Sequence, residues 1–175
     1  MDEPISYIPT QHAHLLPSLV KIHMRCIMEP PYTPATFLPP LNEEVMTSWW
    51  QDRAKEVEKD QRVIIMQMAS NATTGKEEVA GVVMLEMPVT ETGPFRGEVQ
   101  KLLVPPEYRK MGVTSRMMAK LENVAREKGR KLLGNPAEFV YPKLGYIKVG
   151  EIPGCDISPL DGSLKTAVYF YKDMR

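Results

Sequence analysis

The stretch that decides the fold is 104-VPPEYRKMGVTSRMMAKLE-122. A hydrophobic, strand-like run ends at Val104, two prolines break it, and a basic segment meets Gly112 just before a helical periodicity begins. From there Val113, Met117, Leu121 and Val124 form one apolar stripe, with Arg116, Lys120 and Asn123 opposite. The mouth of such a helix carries free backbone N–H groups and the positive end of its dipole. Successive N–H groups from Lys110 to Thr114 can converge on an anion, and Gly112, lacking a Cβ, lets that anion approach closely. Taken alone, a single glycine before a helix also reads as a plain turn. The spacing fits neither the Walker loop nor the dinucleotide fingerprint.

Upstream, "SYIP" reads as a short strand, and "AHLLPSLVKIHMRCIM" has apolar residues at helical spacing, with Pro17 tolerable only in a first turn. The proline-rich "EPPYTPATFLPPL" forms a loop or lid, because each proline removes a donor and restricts its predecessor. Asn42 caps a helix that runs to about Lys59, with acids in its first turn. The period then changes to two, in "RVIIMQMA", "EVAGVVMLEM" and "FRGEVQKLLV". In the last of these, Val99, Lys101 and Leu103 are expected on one face, and Glu98, Gln100, Leu102 and Val104 on the other. Downstream, "GRKLL" is a short strand. "NPAE" reads as a helix start, with Asn135 as cap, Pro136 first and Glu138 third. "YIKVGEI" and "TAVYFYK" are two final strands around the "PLDGS" turn. The order β α α β β β α β α β β defines a mixed α/β layer architecture.

The 175 residues suit one domain, residues 1–175, with chain enough for a sizeable core. Twenty-two basic residues balance twenty-two acidic ones, so no global field draws the chain to nucleic acid or to an anionic membrane. No apolar run approaches the roughly 18 residues of a membrane span, and "MDEPISYIP" is not a signal peptide. Cys26 and Cys155 stand far apart without metal-ligand spacing and read as free thiols of a reducing compartment, so a cytoplasmic location and no metal are expected. Methionines 66, 68, 84, 87, 117 and 118 are core filler.

Arg109-Lys110-Met111-Gly112-Val113-Thr114 resembles the [QR]-x-x-G-x-[GA] motif of the GNAT-type N-acetyltransferases. "NPAEFVYPKLGYIKVG" resembles a compressed form of that superfamily's second signature. "RGEVQKLLV", "AEFVYPKLGY", "VGEIPG" and "DGSL" with "AVYFYK" are similar to the tabtoxin-resistance group of acetyltransferases, a likeness running from about Phe37 to Lys172. The resemblance implies a mostly antiparallel central sheet, flanked by helices and splayed at its fourth and fifth strands. It implies that the anion is the pyrophosphate of acetyl-coenzyme A, held by Arg109, Lys110, Met111, Gly112, Val113 and Thr114. The main chain of Leu102, Leu103 and Val104 would pair with the pantetheine amides, and Asn135 would also bind the coenzyme. Two departures stand out. Thr114 replaces a Gly or Ala, and about six residues, roughly 20 Å of extended chain, are missing after Leu133. An aspartate proposed to assist catalysis in that group is lost with them.

By the same resemblance Glu98 is the general base and Tyr141 the donor to the leaving thiolate. On its residues alone, Glu98 also reads as a surface carboxylate paired with Arg96 or Lys101, and Tyr141 as a core residue. Phe37, Trp49 and Trp50 are candidates to line an acceptor pocket between the first two helices and the proline-rich loop, with Phe37 and Trp50 preferred. Adjacent tryptophans cannot both face one core. The expected activity is acetyl transfer to the amine of a small molecule in a ternary complex, by a monomer or homodimer. The rivals are a coenzyme-A-binding regulatory protein, impaired by the shortened strand, and a protein N-acetyltransferase.

Overall fold

Seven strands assemble into one open sheet of order β1-β2-β3-β4-β5-β7-β6. The computed structural model describes residues 1–30, 32–33, 36–71, 75–136 (Pro136 by its backbone only) and 141–175. β1 (Ile5–Ser6) is followed by α1 (Pro9–His12), a 3₁₀ turn (Ala13–Leu15) and α2 (Leu16–Met28), with Pro17 in the first turn of α2 as its missing donor requires. α3 (Glu43–Glu58) starts at Asn42, whose side-chain oxygen accepts from the Val45 N–H at 3.0 Å. Next come β2 (Arg62–Ser70), β3 (Glu77–Glu86) and β4 (Arg96–Leu103), then a 3₁₀ turn (Pro106–Tyr108) and α4 (Val113–Glu127). β5 (Leu132–Pro136), a 3₁₀ turn (Tyr141–Leu144), β6 (Ile147–Ile157) and β7 (Leu164–Asp173) complete the chain.

All pairings are antiparallel except β4 with β5. β2 and β3 are buried on both faces, so they read as near-continuous apolar runs. Their alternation sends Val63, Ile65, Val83 and Leu85 to α4, and Ile64, Met66, Val82 and Met84 to α2 and α3. The six methionines expected in the core are all buried. Gly81 sets how close α4 can lie: a Cβ there would come within 2.9 Å of Val113 and Met117.

The face assignment of β4 fails after Gln100. Val82 pairs with Leu103 and Met84 with Gln100, so Lys101 and Leu102 together oppose one residue of β3 in a β-bulge, and Lys101 takes φ +53°. Val99 therefore packs with α4, whereas Leu103 joins the α2/α3 side, and Leu102 and Val104 pack against the α4 side. Asn135 and Pro136 lie in β5, so no helix is capped by Asn135; Ala137 and Glu138 fall outside the described residues. Pairing decides this. Each residue from Leu132 to Pro136 has a partner on β7, and that ladder outweighs a local capping signal.

β6 ends the sheet. Among the described residues it pairs only with β7, its register slips twice, and Pro153 interrupts its row of donors. Ile147, Val149, Ile152 and Ile157 are exposed along it.

Candidate active site

The loop between β4 and α4 is anchored on both flanks. Arg25 of α2 makes a two-pronged ion pair with Glu107, at 2.6 and 3.0 Å, and Tyr108 donates a short hydrogen bond to Glu78 of β3. Arg109 folds back, donating to the Val104 carbonyl at 2.9 Å and to the Pro30 carbonyl. Its guanidinium thus holds the loop, and only its main chain is offered outward. Lys110 and Gly112 both take left-handed φ, +60° and +76°, a pattern that curls successive N–H groups into an anion-binding concavity ahead of Val113 and Thr114. Lys110, Met111 and Gly112 are exposed. A Cβ on Gly112 would lie 3.3 Å from a guanidinium nitrogen of Arg116. Arg116 is pinned there by Gln67 at 3.0 Å and by the Met111 carbonyl at 3.2 Å. Its stripe marked it as solvent-facing; its place one turn after Gly112 is the signal that brings its charge beneath the loop.

β4 and β5 pair over three rungs only, from Arg96 with Leu132 to Glu98 with Gly134. Beyond that the two strands part, giving the splay expected between the fourth and fifth strands. Asn135 stands at the opening, 5% exposed, and donates to the Val99 carbonyl at 2.8 Å and to the Tyr141 hydroxyl. Tyr141 is 1% exposed, between the rings of Tyr146 and Phe170. Burial pushes its phenol well above the ordinary value, and the hydrogen bond from Asn135 only partly opposes this. The phenol is therefore neutral, with its own proton available to a third partner.

Glu98 is half-buried on the α2/α3 side. It pairs with neither Arg96 nor Lys101. Gln100 donates to it at 3.1 Å and to Glu86 at 2.6 Å, while accepting from Arg62 at 2.9 Å. Buried Arg62 is held by Glu56 at 2.5 Å. A cavity of about 450 Å³ opens beside Glu98, between Gly97, Gly134 and Tyr171. A shallower depression of about 740 Å³ along the start of α3, from Leu41 to Gln51, holds neither Glu98 nor Tyr141.

Of the two tryptophans, Trp50 is 1% exposed and belongs to the core, while Trp49 is only partly buried. Trp49 and Phe37 meet edge to face at 6.0 Å, with buried His23 among the rings. Arg53 lies 4.9 Å from the Trp49 ring centre and Lys101 5.6 Å. Burial pushes the Lys101 ammonium down to about 8; the charge of Arg62 adds to this and Glu98 opposes it. Lys101 was not legible as a site residue, because the bulge that brings it to Trp49 has no glycine to announce it; of the two candidate tryptophans, Trp49 rather than the preferred Trp50 is the partly exposed one. Among the described residues no cluster of metal-ligating side chains occurs, and no helix is long and apolar enough to cross a membrane.

This arrangement is a mixed, mostly antiparallel seven-stranded sheet with one parallel pair, parting beside a glycine-capped helix. It is the fold of the GNAT acetyltransferases. The chain belongs to the Acetyltransferase (GNAT) family, whose profile matches residues 23–146. It superimposes on an N-acetyltransferase from Staphylococcus aureus with a TM-score of 0.74 at 13% identity, covering 99% of this chain and 100% of that one. A ribosomal-protein-alanine N-acetyltransferase from Brucella melitensis gives a TM-score of 0.71 at 16% identity, covering 97% and 98%. A Salmonella typhimurium protein solved with its cofactor acetyl-CoA gives 0.73 at 10% identity, covering 99% and 95%. At such identities the likeness is one of fold.

Proposed function

We propose that the protein is a cytoplasmic enzyme that transfers the acetyl group of acetyl-coenzyme A to the amine of a small molecule, by direct attack in a ternary complex. The observation that carries this is the position of Glu98. It occupies the last rung before β4 and β5 part, on the face that opens toward α3 and the Phe37–Trp49 wall. The pyrophosphate would sit on the N–H groups from Lys110 to Thr114, with Arg116 beneath, and the pantetheine would run along the main chain of Leu102 to Val104. The amine nitrogen attacks the thioester carbon, a C–N bond forms and the C–S bond breaks. The amine proton passes to Glu98, directly or through water, and the leaving sulfur takes a hydrogen bond, or its proton, from Tyr141. Bulges leave main-chain groups outside the ladder, and an N–H freed in this way beside Lys101 would suit the developing oxyanion. Phe37 and Trp49 would line the acceptor side, with Trp50 supporting them from the core. The likeness to the tabtoxin-resistance group supports the same assignment. The chain would act as a monomer or homodimer.

A second reading, a coenzyme-A-binding protein of low catalytic power, has two observations in its favour: Asn135 bridges the strands where the slot begins, and Tyr141 is covered. A thermal-shift panel with acetyl-coenzyme A, coenzyme A and ATP, run beside thiol release on an amine panel, separates the two. A ligand at a hundredfold excess over its Kd adds about 2.7 kcal/mol of stability. Stabilisation by both coenzyme A species and not by ATP, together with amine-dependent thiol release, supports the enzyme. Stabilisation without release supports the second reading, and equal stabilisation by ATP sinks both.

A further inference from the structure

Resting on the acetyltransferase reading, we infer that the acceptor is an amine that also carries an acidic group, and that Lys101 selects it. The bulge is the starting point. On an uninterrupted strand, residues three apart face opposite sides. The left-handed turn at Lys101 cancels that alternation and sends its side chain to the α3 side, where Glu98 also points. There the Lys101 ammonium donates to the Thr36 hydroxyl at 2.6 Å and lies 5.6 Å from the centre of the Trp49 ring.

The two arginines nearby are already matched. Arg62 reaches Glu56 at 2.5 Å and Glu86 at 3.6 Å, and Arg53 reaches Glu56 at 2.6 Å. Among the described residues, neither Glu98 nor Lys101 has an ion-pair partner within 4.0 Å, and Asp156 acts on Lys101 only at longer range. Lys101 is thus an unmatched cation on the face of the site that Glu98 occupies. An ammonium removed from water without a counter-charge is costly, and an aromatic ring repays only part of that cost. Burial already holds Lys101 below its ordinary basicity, as an unpaired ammonium should be. An acceptor whose nitrogen comes up beside Glu98 must extend its remaining atoms along this face. A carboxylate or phosphonate on those atoms supplies the missing partner of Lys101; an uncharged body does not.

The test uses the full chain with acetyl-coenzyme A, a panel of α-amino acids, and the matching α-amino-acid amides, read by initial rates of thiol release. The amides keep more of their amine unprotonated at neutral pH, so the chemistry itself is biased against the expected result. Wild type should favour the acids by about ten- to hundredfold in kcat/KM, the scale of a charge-assisted hydrogen bond. Lys101→Met should erase that preference through KM with kcat within about threefold, and Lys101→Arg should keep most of it. Removing an unpaired cation relieves a desolvation cost, so Lys101→Met should fold, as its thermal unfolding with coenzyme A will register. A preference unchanged in Lys101→Met, or wild type that takes acids and amides alike, overturns the inference. Should no amine be turned over, calorimetric titration of the coenzyme-A-loaded protein with the same acids decides. Binding that Lys101→Met abolishes upholds the selection of an acidic amine by Lys101, with the failure confined to the acetyl-transfer step; binding that Lys101→Met retains, or no binding to wild type, overturns the inference.

Discussion

The side-chain amide of Asn135 donates to the main-chain carbonyl of Val99 at 2.8 Å, across the line along which β4 and β5 part. The same nitrogen reaches the Tyr141 hydroxyl, so one side chain ties the phenol to the central strand. Asn135→Ala should cost about 1–3 kcal/mol in urea denaturation, because it leaves a buried carbonyl and a buried phenol short of a donor. A variant as stable as wild type would mean that water replaces the amide.

Gly112 begins α4 at φ +76°, a conformation that costs a residue with a Cβ about 1–2 kcal/mol. Gly112→Ala should therefore lower stability by about that amount. Gly112→Asp should in addition abolish stabilisation by coenzyme A, by setting a negative charge where the pyrophosphate belongs. Coenzyme binding retained in the aspartate variant would show that the loop is only a turn.

Glu98→Gln keeps the shape and the contact with Gln100 but removes the capacity to take a proton. It should lower kcat by about 10²–10⁴ with coenzyme binding nearly intact. Tyr141→Phe should slow turnover without moving the pH at which the amine-side base titrates. Activity of Glu98→Gln within threefold of wild type would move the base elsewhere.

Stability should depend on alkaline pH in two opposing ways. Lys101 is held at about 8 in the fold against an ordinary 10.5, so between those values the unfolded chain binds a proton that the folded chain has shed. Stability then rises with pH across that window. The phenols go the other way. Burial holds Tyr108 up at about 12, with a bond to Glu78 adding to it, and burial also raises Tyr141 and Tyr146. Above pH 10 the unfolded phenols ionise first, and stability falls. Denaturation between pH 7.5 and 11 should trace a rise and then a decline, with Lys101→Met losing the rise. A flat profile in wild type would show that Lys101 titrates as it would in water.

Much of this was readable from residue order because local signals agreed with the final packing. Asn42 with its acids, Pro17, the Gly112 helix and the apolar strands all formed where their chemistry placed them. Asn135 was misread because its capping pattern is local, whereas five rungs with β7 are not. The bulge was invisible for a different reason. Lysine rarely takes a left-handed φ, so nothing at position 101 warns that alternation stops there, and the role of Lys101 was hidden with it. Arg116 was missed because a helical stripe shows which way a side chain leans, not which loop lies above it.

The outer strand, β6, bears on how the protein behaves when crowded. A long apolar border with free main-chain groups is an invitation to templated polymerisation, each molecule extending the sheet of the last. Here the register slips twice along the strand, and Pro153 removes one main-chain donor from it. A neighbour could match only a few consecutive groups before falling out of step. The irregular outer strand therefore works as a terminator, keeping a sheet with greasy margins from growing into a fibre.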